Sequence, residues 1–269
     1  MPRPLGLGLP GRQWETWEPN ELELAAALMP SAVVVLVYGD QPAETREAQV
    51  AAARALVART GARLLLRACE PDVPIWASTD WAGECARRAG FFTRGGPLIP
   101  IEMIPGNELD GASEGGSLAW AAGAGPSWLL RFAQRYRRLR PGERLHLPAP
   151  SPGTEVSAFW QACARAGVSN RFDVADVHAY SDEQVRTLPR LAHEMLGLPV
   201  DLTECDQVEP ALVAAEVRAY PWLGSACYSI RQGHRWATER PDLVAAFQAA
   251  QIEDGEPSAL SNQELTADG

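Results

Sequence analysis

The sequence predicts a single (β/α)8 barrel. Three observations lead there: short apolar runs alternate with longer helical stretches, the alternation repeats eight times, and no linker divides the 269 residues. Strands separated by helical patterns of about 10–15 residues call for parallel pairing through crossover helices. Eight such units close into a barrel of roughly 250 residues. The barrel is expected over residues 1–252, followed by a polar, acidic tail over 253–269.

Residues 5–9 open the series as a short Gly-rich strand, and Asn20 caps a helix over 21–29 that Pro30 stops. AVVVLVY (32–38) is a buried strand, followed by an Ala-rich helix over 44–59 that ends at Gly61. Strand three is 62–69 and its helix 81–89; strand four is 97–104 and its helix 127–139. Residues 144–148 form strand five, before a proline-rich loop and a helix over 155–166 closed by Gly167. The last three units pair strands 174–178, 200–203 and 225–230 with helices 183–196, 210–220 and 240–251.

A chain that is 46% hydrophobic and 22% charged can fill this interior without metal or disulfide staples. A net charge of −10 repels phosphate backbones, so nucleic acid is not an expected partner. The longest apolar run, 32–37, is far short of the roughly 20 residues that span a bilayer, so no membrane association is expected. The N-terminus lacks the apolar core of a secretory signal, and the five dispersed cysteines read as reduced thiols. Both point to a cytoplasmic or otherwise non-secreted protein, extracellular only if a signal was removed. Nothing in the residues speaks to oligomeric state.

In such a barrel the chemistry gathers where strands end and βα-loops begin. Strand two ends in Gly39-Asp40, strand three in Glu70-Pro71-Asp72, and strand four in Gly106-Asn107-Glu108. Strand six ends in His178-Ala179-Tyr180 and strand seven in Thr203-Glu204. Strand eight ends near Tyr228, with Arg231, His234 and Trp236 in its loop. Carboxylates and aromatics at one end of a barrel suit a carbohydrate. Strands four and seven face each other across the mouth, so Glu108 and Glu204 can converge on one bond.

Three stretches carry a family resemblance. IEMIPGNEL (101–109) resembles the fourth strand of the clan A glycoside hydrolases, which ends in an Asn-Glu pair. LPVDLTECD (198–206) is similar to their seventh strand, where the nucleophilic glutamate follows Thr or Ser. DVHAYS (176–181) is similar to their sixth, with His and Tyr facing the cleft. The resemblance implies retaining hydrolysis of a carbohydrate, without cofactor or metal. Glu108 is then the acid and base, its pKa raised by its charged neighbour and by substrate burial, and Glu204 is the nucleophile. Tyr180 and Arg67 keep Glu204 ionised, and Asn107 bonds the sugar 2-hydroxyl. His178 completes the substrate-binding set. The family has a tryptophan on strand eight where this chain reads SACYSIRQG, so Tyr228 or Trp236 must supply that platform.

Each assignment has a plain structural alternative. Glu108 and Glu204 can be solvated loop carboxylates, His178 a satisfied core histidine, and Arg67 an ion-pair partner at the barrel bottom. Of the tryptophans, Trp76, Trp81, Trp120 and Trp236 fall in top-face loops or first turns, while Trp160 and Trp222 read as core. Gly6-x-Gly8-x-x-Gly11 fits a dinucleotide loop, but Pro10 interrupts it and no helix follows at once. Asp40, Glu70 and Asp72 could group around a cation, but a solvated loop explains them as well, and the four histidines lack metal-ligand spacing. Two other functions remain open. One is a catalytically silent carbohydrate-binding or structural barrel. The other is a serine esterase built on Ser113 in Gly111-Ala-Ser113-Glu-Gly115, with Asp176 and His178 following.

Overall fold

The computed structural model describes residues 3–9, 17, 19–39, 41–69, 75–94, 99–109, 117, 120, 123–152, 156–229 and 241–252. Eight parallel strands follow one another around a closed barrel in chain order. They are β1 (Leu5–Leu9), β2 (Ala32–Tyr38), β3 (Arg63–Cys69), β4 (Ile101–Ile104), β5 (Arg144–Leu147), β6 (Val174–His178), β7 (Val200–Glu204) and β8 (Leu223–Ser229). Leu7 pairs with Val33 on one side and with Tyr228 on the other, which closes the cylinder. Helices α1 (Pro19–Ala27), α2 (Ala43–Thr60), α3 (Trp81–Thr93), α4 (Gly125–Leu139), α5 (Val156–Arg165), α6 (Asp182–Leu196), α7 (Pro210–Ala219) and α8 (Pro241–Gln251) alternate with them. The expected barrel is what forms. The tail over 253–269 lies outside the described residues. No helix among the described residues is long and apolar enough to cross a membrane.

Alternation at period two sorts every strand into an outer and an inner face. Leu5, Leu7 and Leu9, Val33, Val35 and Val37, and Leu64, Leu66 and Ala68 all join the apolar layer beneath the helices. The inner face is divided. Ala32, Val34, Leu65, Ile104 and Cys227 make a small apolar cluster on one side. A Cβ on Gly6 would stand 2.6 Å from Cys227 Sγ and 2.9 Å from the Ala32 carbonyl oxygen. Gly6 therefore belongs to a tight barrel wall and not to a phosphate loop.

The other side of the interior is charged. Arg63 of β3 binds Glu102 through Nε and Nη2, and its Nη2 reaches Asp201 Oδ2 at 2.6 Å. His146 bridges Asp176 Oδ1 (Nδ1, 2.7 Å) and Glu102 Oε2 (Nε2, 2.8 Å), with Asp201 at 4.0 Å. His146, Glu102, Asp176 and Asp201 are all buried. A buried charge is tolerated only when paired, so these residues stand or fall together. Glu102, His146 and Asp201 offer donor atoms within 4.8 Å of one another, as a cation site would. The Arg63 guanidinium, bound to both carboxylates, already supplies the positive charge there.

This network makes stability depend on pH. Burial disfavours the charged His146 ring, but Asp176, Glu102 and Asp201 outweigh it and push the pKa up to about 9. A raised pKa contributes stability fully below the unfolded value near 6.5, and that contribution is lost as pH climbs through about 9. The expected loss is roughly 3 kcal/mol across that window. Denaturant midpoints measured from pH 6 to pH 10 check this; a flat profile would mean that the folded chain holds the ring neutral.

Candidate active site

At the upper end of the same interior, four strand tops bring their side chains together. Glu204 closes β7, where pairing with β6 slips: Val177 faces Leu202, but His178 faces Glu204. The extra residue, Thr203, is buried, and the slip re-aims Glu204 toward the mouth as a bulge does. Glu108 follows β4 with φ 29°, a left-handed conformation that a side chain with a Cβ adopts only under constraint. Strain of this kind collects at functional sites, where neighbours over-determine the backbone.

Those neighbours can be named. Trp81, buried at the start of α3, donates its indole N–H to the Pro105 carbonyl at 2.7 Å, just before the Glu108 turn. Arg88 lies 4.8 Å over the Trp81 ring and donates Nη1 to the carbonyls of Val37 and Cys69, at the tops of β2 and β3. The Glu108 carboxylate accepts from Ser151 Oγ through Oε2 and meets His178 Nδ1 at Oε1, both at 2.8 Å. Ser151 was not singled out by sequence reading. It sits in the proline-rich loop after strand five, on the top face where such residues are sought.

Glu204 is gripped more heavily. Arg67 Nη1 donates to Oε1, and the Tyr180 hydroxyl donates to Oε2. Arg67 is buried and also reaches His178 Nε2 at 3.2 Å with Nη2. Of the two places sequence allowed Arg67, the structure puts it at the mouth; the bottom ion pair belongs to Arg63. His178 touches both glutamates, with Nδ1 2.8 Å from Glu108 and Nε2 3.7 Å from Glu204. Glu108, His178 and Glu204 each present an atom within 4.8 Å of the others. The two carboxylates therefore converge, as their positions on strands four and seven require.

Electrostatics separate the pair only in degree. Burial opposes ionisation of Glu204, but His178, Arg67 and Tyr180 outweigh it and bring the pKa down to about 2. Burial and the negative Glu204 drive the Tyr180 phenol well up, so it stays a donor. Glu108 departs from expectation. Its pKa is lowered, because the hydrogen bond and the charge of His178, with the hydrogen bond from Ser151, outweigh both burial and the Glu204 charge. Sequence reading counted the like-charged neighbour and could not see the two donors.

The remaining expectations divide. Asn107 is half-buried in the turn beside Glu108. Tyr228 does not reach the mouth. Because Cys227 faces the barrel interior, Tyr228 faces the helices; it is fully buried, donates to the Val208 carbonyl at 2.9 Å, and packs edge-on to Phe247 of α8. Trp81 is a support for the β4 loop and not a stacking platform. Trp120 is half-buried, edge-on to Trp128 at 5.9 Å. Trp160 is core, and Trp222 stacks on His193 at 4.4 Å. The Trp76 side chain lies outside the described residues, as do Trp236, Arg231, His234, Asp40, Glu70, Asp72 and Ser113. Asp176 bonds His146 and His178 bonds Glu108 and Arg67, so the two do not form the pair an esterase triad needs.

No family model matches the chain, and no curated protein matches it in sequence. Solved structures do match. A glucosidase from Croceicoccus marinus superposes with TM-score 0.63 at 11% identity, over 93% of this chain and 67% of that one. The chain shares the fold of barrel glycosidases. A β-mannanase from Streptomyces thermolilacinus gives TM-score 0.57 at 16% identity, over 84% of this chain and 80% of the mannanase. A broad-specificity endoglucanase from Clostridium longisporum gives 0.58 at 10%, over 93% and 94%.

The grip on Glu204 can be tested without any substrate. Replacing Tyr180 by Phe removes one donor to the carboxylate, so the Glu204 pKa is expected to rise measurably from about 2. Carboxyl 13C NMR of glutamate-labelled protein reads that titration; an unmoved resonance would show that the hydroxyl does not hold the carboxylate.

Proposed function

We propose that the chain is a retaining glycoside hydrolase, with Glu204 as nucleophile and Glu108 as acid and base. One observation carries the reading: oxygens of the two carboxylates lie within 4.8 Å of each other across the barrel mouth. Retaining glycosidases hold their carboxyl groups about 5–5.5 Å apart, whereas inverting ones leave about 6.5–9.5 Å for a water. The barrel-glycosidase fold supports the same reading, as does the resemblance of strands four, six and seven.

In the first half-reaction the Glu204 carboxylate attacks the anomeric carbon and forms a glycosyl ester. The bond to the leaving oxygen breaks as that oxygen takes the proton from Glu108. In the second, Glu108 removes a proton from water, the water oxygen bonds the anomeric carbon, and the ester bond to Glu204 breaks. Arg67 and Tyr180 keep Glu204 ionised and aimed before attack, and both remain donors to its leaving carboxylate afterward. Asn107, beside Glu108, bonds the sugar 2-hydroxyl. His178 and Ser151 orient the Glu108 carboxyl. The substrate is a carbohydrate, and the residues present need no cofactor for either step.

Glu204→Ala is expected to lower turnover of a panel of dinitrophenyl glycosides by at least about 10³-fold, while leaving the fold intact. Added azide should restore cleavage in that variant and give the glycosyl azide of inverted configuration. Full activity without azide would remove Glu204 as nucleophile. Glu108→Ala should instead slow poor leaving groups far more than dinitrophenol.

A second expectation concerns pH. In the free chain Glu108 titrates below the ordinary glutamate value and Glu204 near 2. The productive form has Glu108 protonated and Glu204 ionised, and kcat/KM reports the free protein. It should therefore rise as pH falls from neutrality into the carboxylate range, and drop only as Glu204 gains its proton. A kcat/KM maximum above pH 7 would contradict the assignment.

A further inference from the structure

His178 has two ring nitrogens and each meets a different kind of partner. Nδ1 faces the Glu108 carboxylate at 2.8 Å; Nε2 faces Arg67 Nη2 at 3.2 Å. A guanidinium has only donors and keeps its proton under all ordinary conditions. Both side chains are buried, so no solvent can separate two opposed N–H groups. A hydrogen on Nε2 would point at one on Nη2. The Nε2 lone pair must therefore accept from Arg67, and the ring hydrogen must sit on Nδ1, donated to Glu108 Oε1. The other groups around the ring agree. Glu204 lies 3.7 Å from Nε2 but has its own donors in Arg67 and Tyr180. Asp176, two residues below on β6, is turned to His146. The Tyr180 ring is tilted at 6.3 Å, with its hydroxyl donated to Glu204.

We propose that, at neutral pH, Arg67 holds His178 as its neutral Nδ1–H tautomer, so that the proton the acid delivers sits on the Glu108 carboxyl. With Nδ1 carrying a hydrogen and the Nε2 lone pair engaged, the ring has no vacant site for that proton. The carboxyl has one. Oε1 keeps its bond from His178, while Oε2 meets Ser151 among the described residues, and a hydroxyl can accept as well as donate. Oε2 is then the oxygen that carries the proton, and no proton passes through the imidazole. Arg67 thus becomes a positioning residue for the acid as well as the partner of the nucleophile. A histidine free to protonate beside Glu108 would divert the proton the acid must deliver. The tautomer follows from the contacts alone; its value in catalysis rests on the glycosidase reading.

Long-range 1H–15N NMR of the full chain labelled in its four histidines decides the matter at pH 7. His178→Gln identifies the His178 signals by their loss. The expected spectrum shows hydrogen on Nδ1 and an unprotonated Nε2. A hydrogen on Nε2, alone or with Nδ1, overturns the proposal. In Arg67→Met, which keeps length and removes the donors, the Nε2–H form is expected to appear; a ring still wholly Nδ1–H overturns the role of Arg67. Should that variant fail to fold, the wild-type spectrum still decides. Neither spectrum needs turnover. A locked tautomer in a protein that cleaves no glycoside would refute the proposed function alone, and an active protein with hydrogen on Nε2 would refute only the lock.

Discussion

Half of this barrel is filled with charge, and a charge removed from water must be met by its opposite. That constraint organises the interior. Two arginines on one strand, Arg63 and Arg67, stand four residues apart on the inner face of β3, one near the bottom and one near the mouth. Arg63 ties Glu102 to Asp201, and Arg67 ties His178 to Glu204. Remove either guanidinium and two carboxylates, or a carboxylate and an imidazole, lose the donor that links them. The penalty for an unpaired buried charge is several kcal/mol, which exceeds what any one apolar contact in the barrel contributes. The interior is therefore cross-linked where it is charged, and the same kind of linkage reaches the mouth.

The candidate site sits on this platform. Asp176 and His178 share one face of β6, so the same strand hands one side chain to the lower network and the next to the upper. The slip in pairing between β6 and β7 lets Glu204 leave the barrel wall where a regular strand would have kept it in register. The Glu108 turn is propped from outside by Trp81 and from above by His178 and Ser151. Preorganised donors around a carboxylate pair are what a charged transition state needs, because no reorganisation is left to be done during reaction.

Legibility varied with the physics behind each feature. The rhythm of apolar runs and helices reflects periods of two and 3.6, which are local, and all eight units are found in their order. That Glu108, Glu204, His178 and Tyr180 stand at the mouth was also readable, because position at a strand end decides access to it; for Arg67 it was not. Tyr228 failed on parity. SACYS offers no contrast between its two faces, so nothing local shows that Cys227 turns inward and Tyr228 outward. Trp81 failed on reach, since a first-turn indole can stack on a ligand or brace a backbone, and only the Pro105 carbonyl decides between them. The direction of the Glu108 shift failed because its donors come from other strand–helix units, Ser151 from the loop after β5 and His178 from β6.

By itself the sequence determined the closed parallel barrel and which strand tops bear carboxylates, because alternation and strand ends are written in neighbouring residues. Only the tertiary structure decided how those groups are paired. On sequence grounds Arg67 could have kept Glu204 ionised or paired at the barrel bottom; its contacts place it between His178 and Glu204. Protonation follows from pairing and not from residue type. The states of Glu108, His178, Glu204 and His146 are properties of contacts made across the barrel, between residues that lie far apart in the chain.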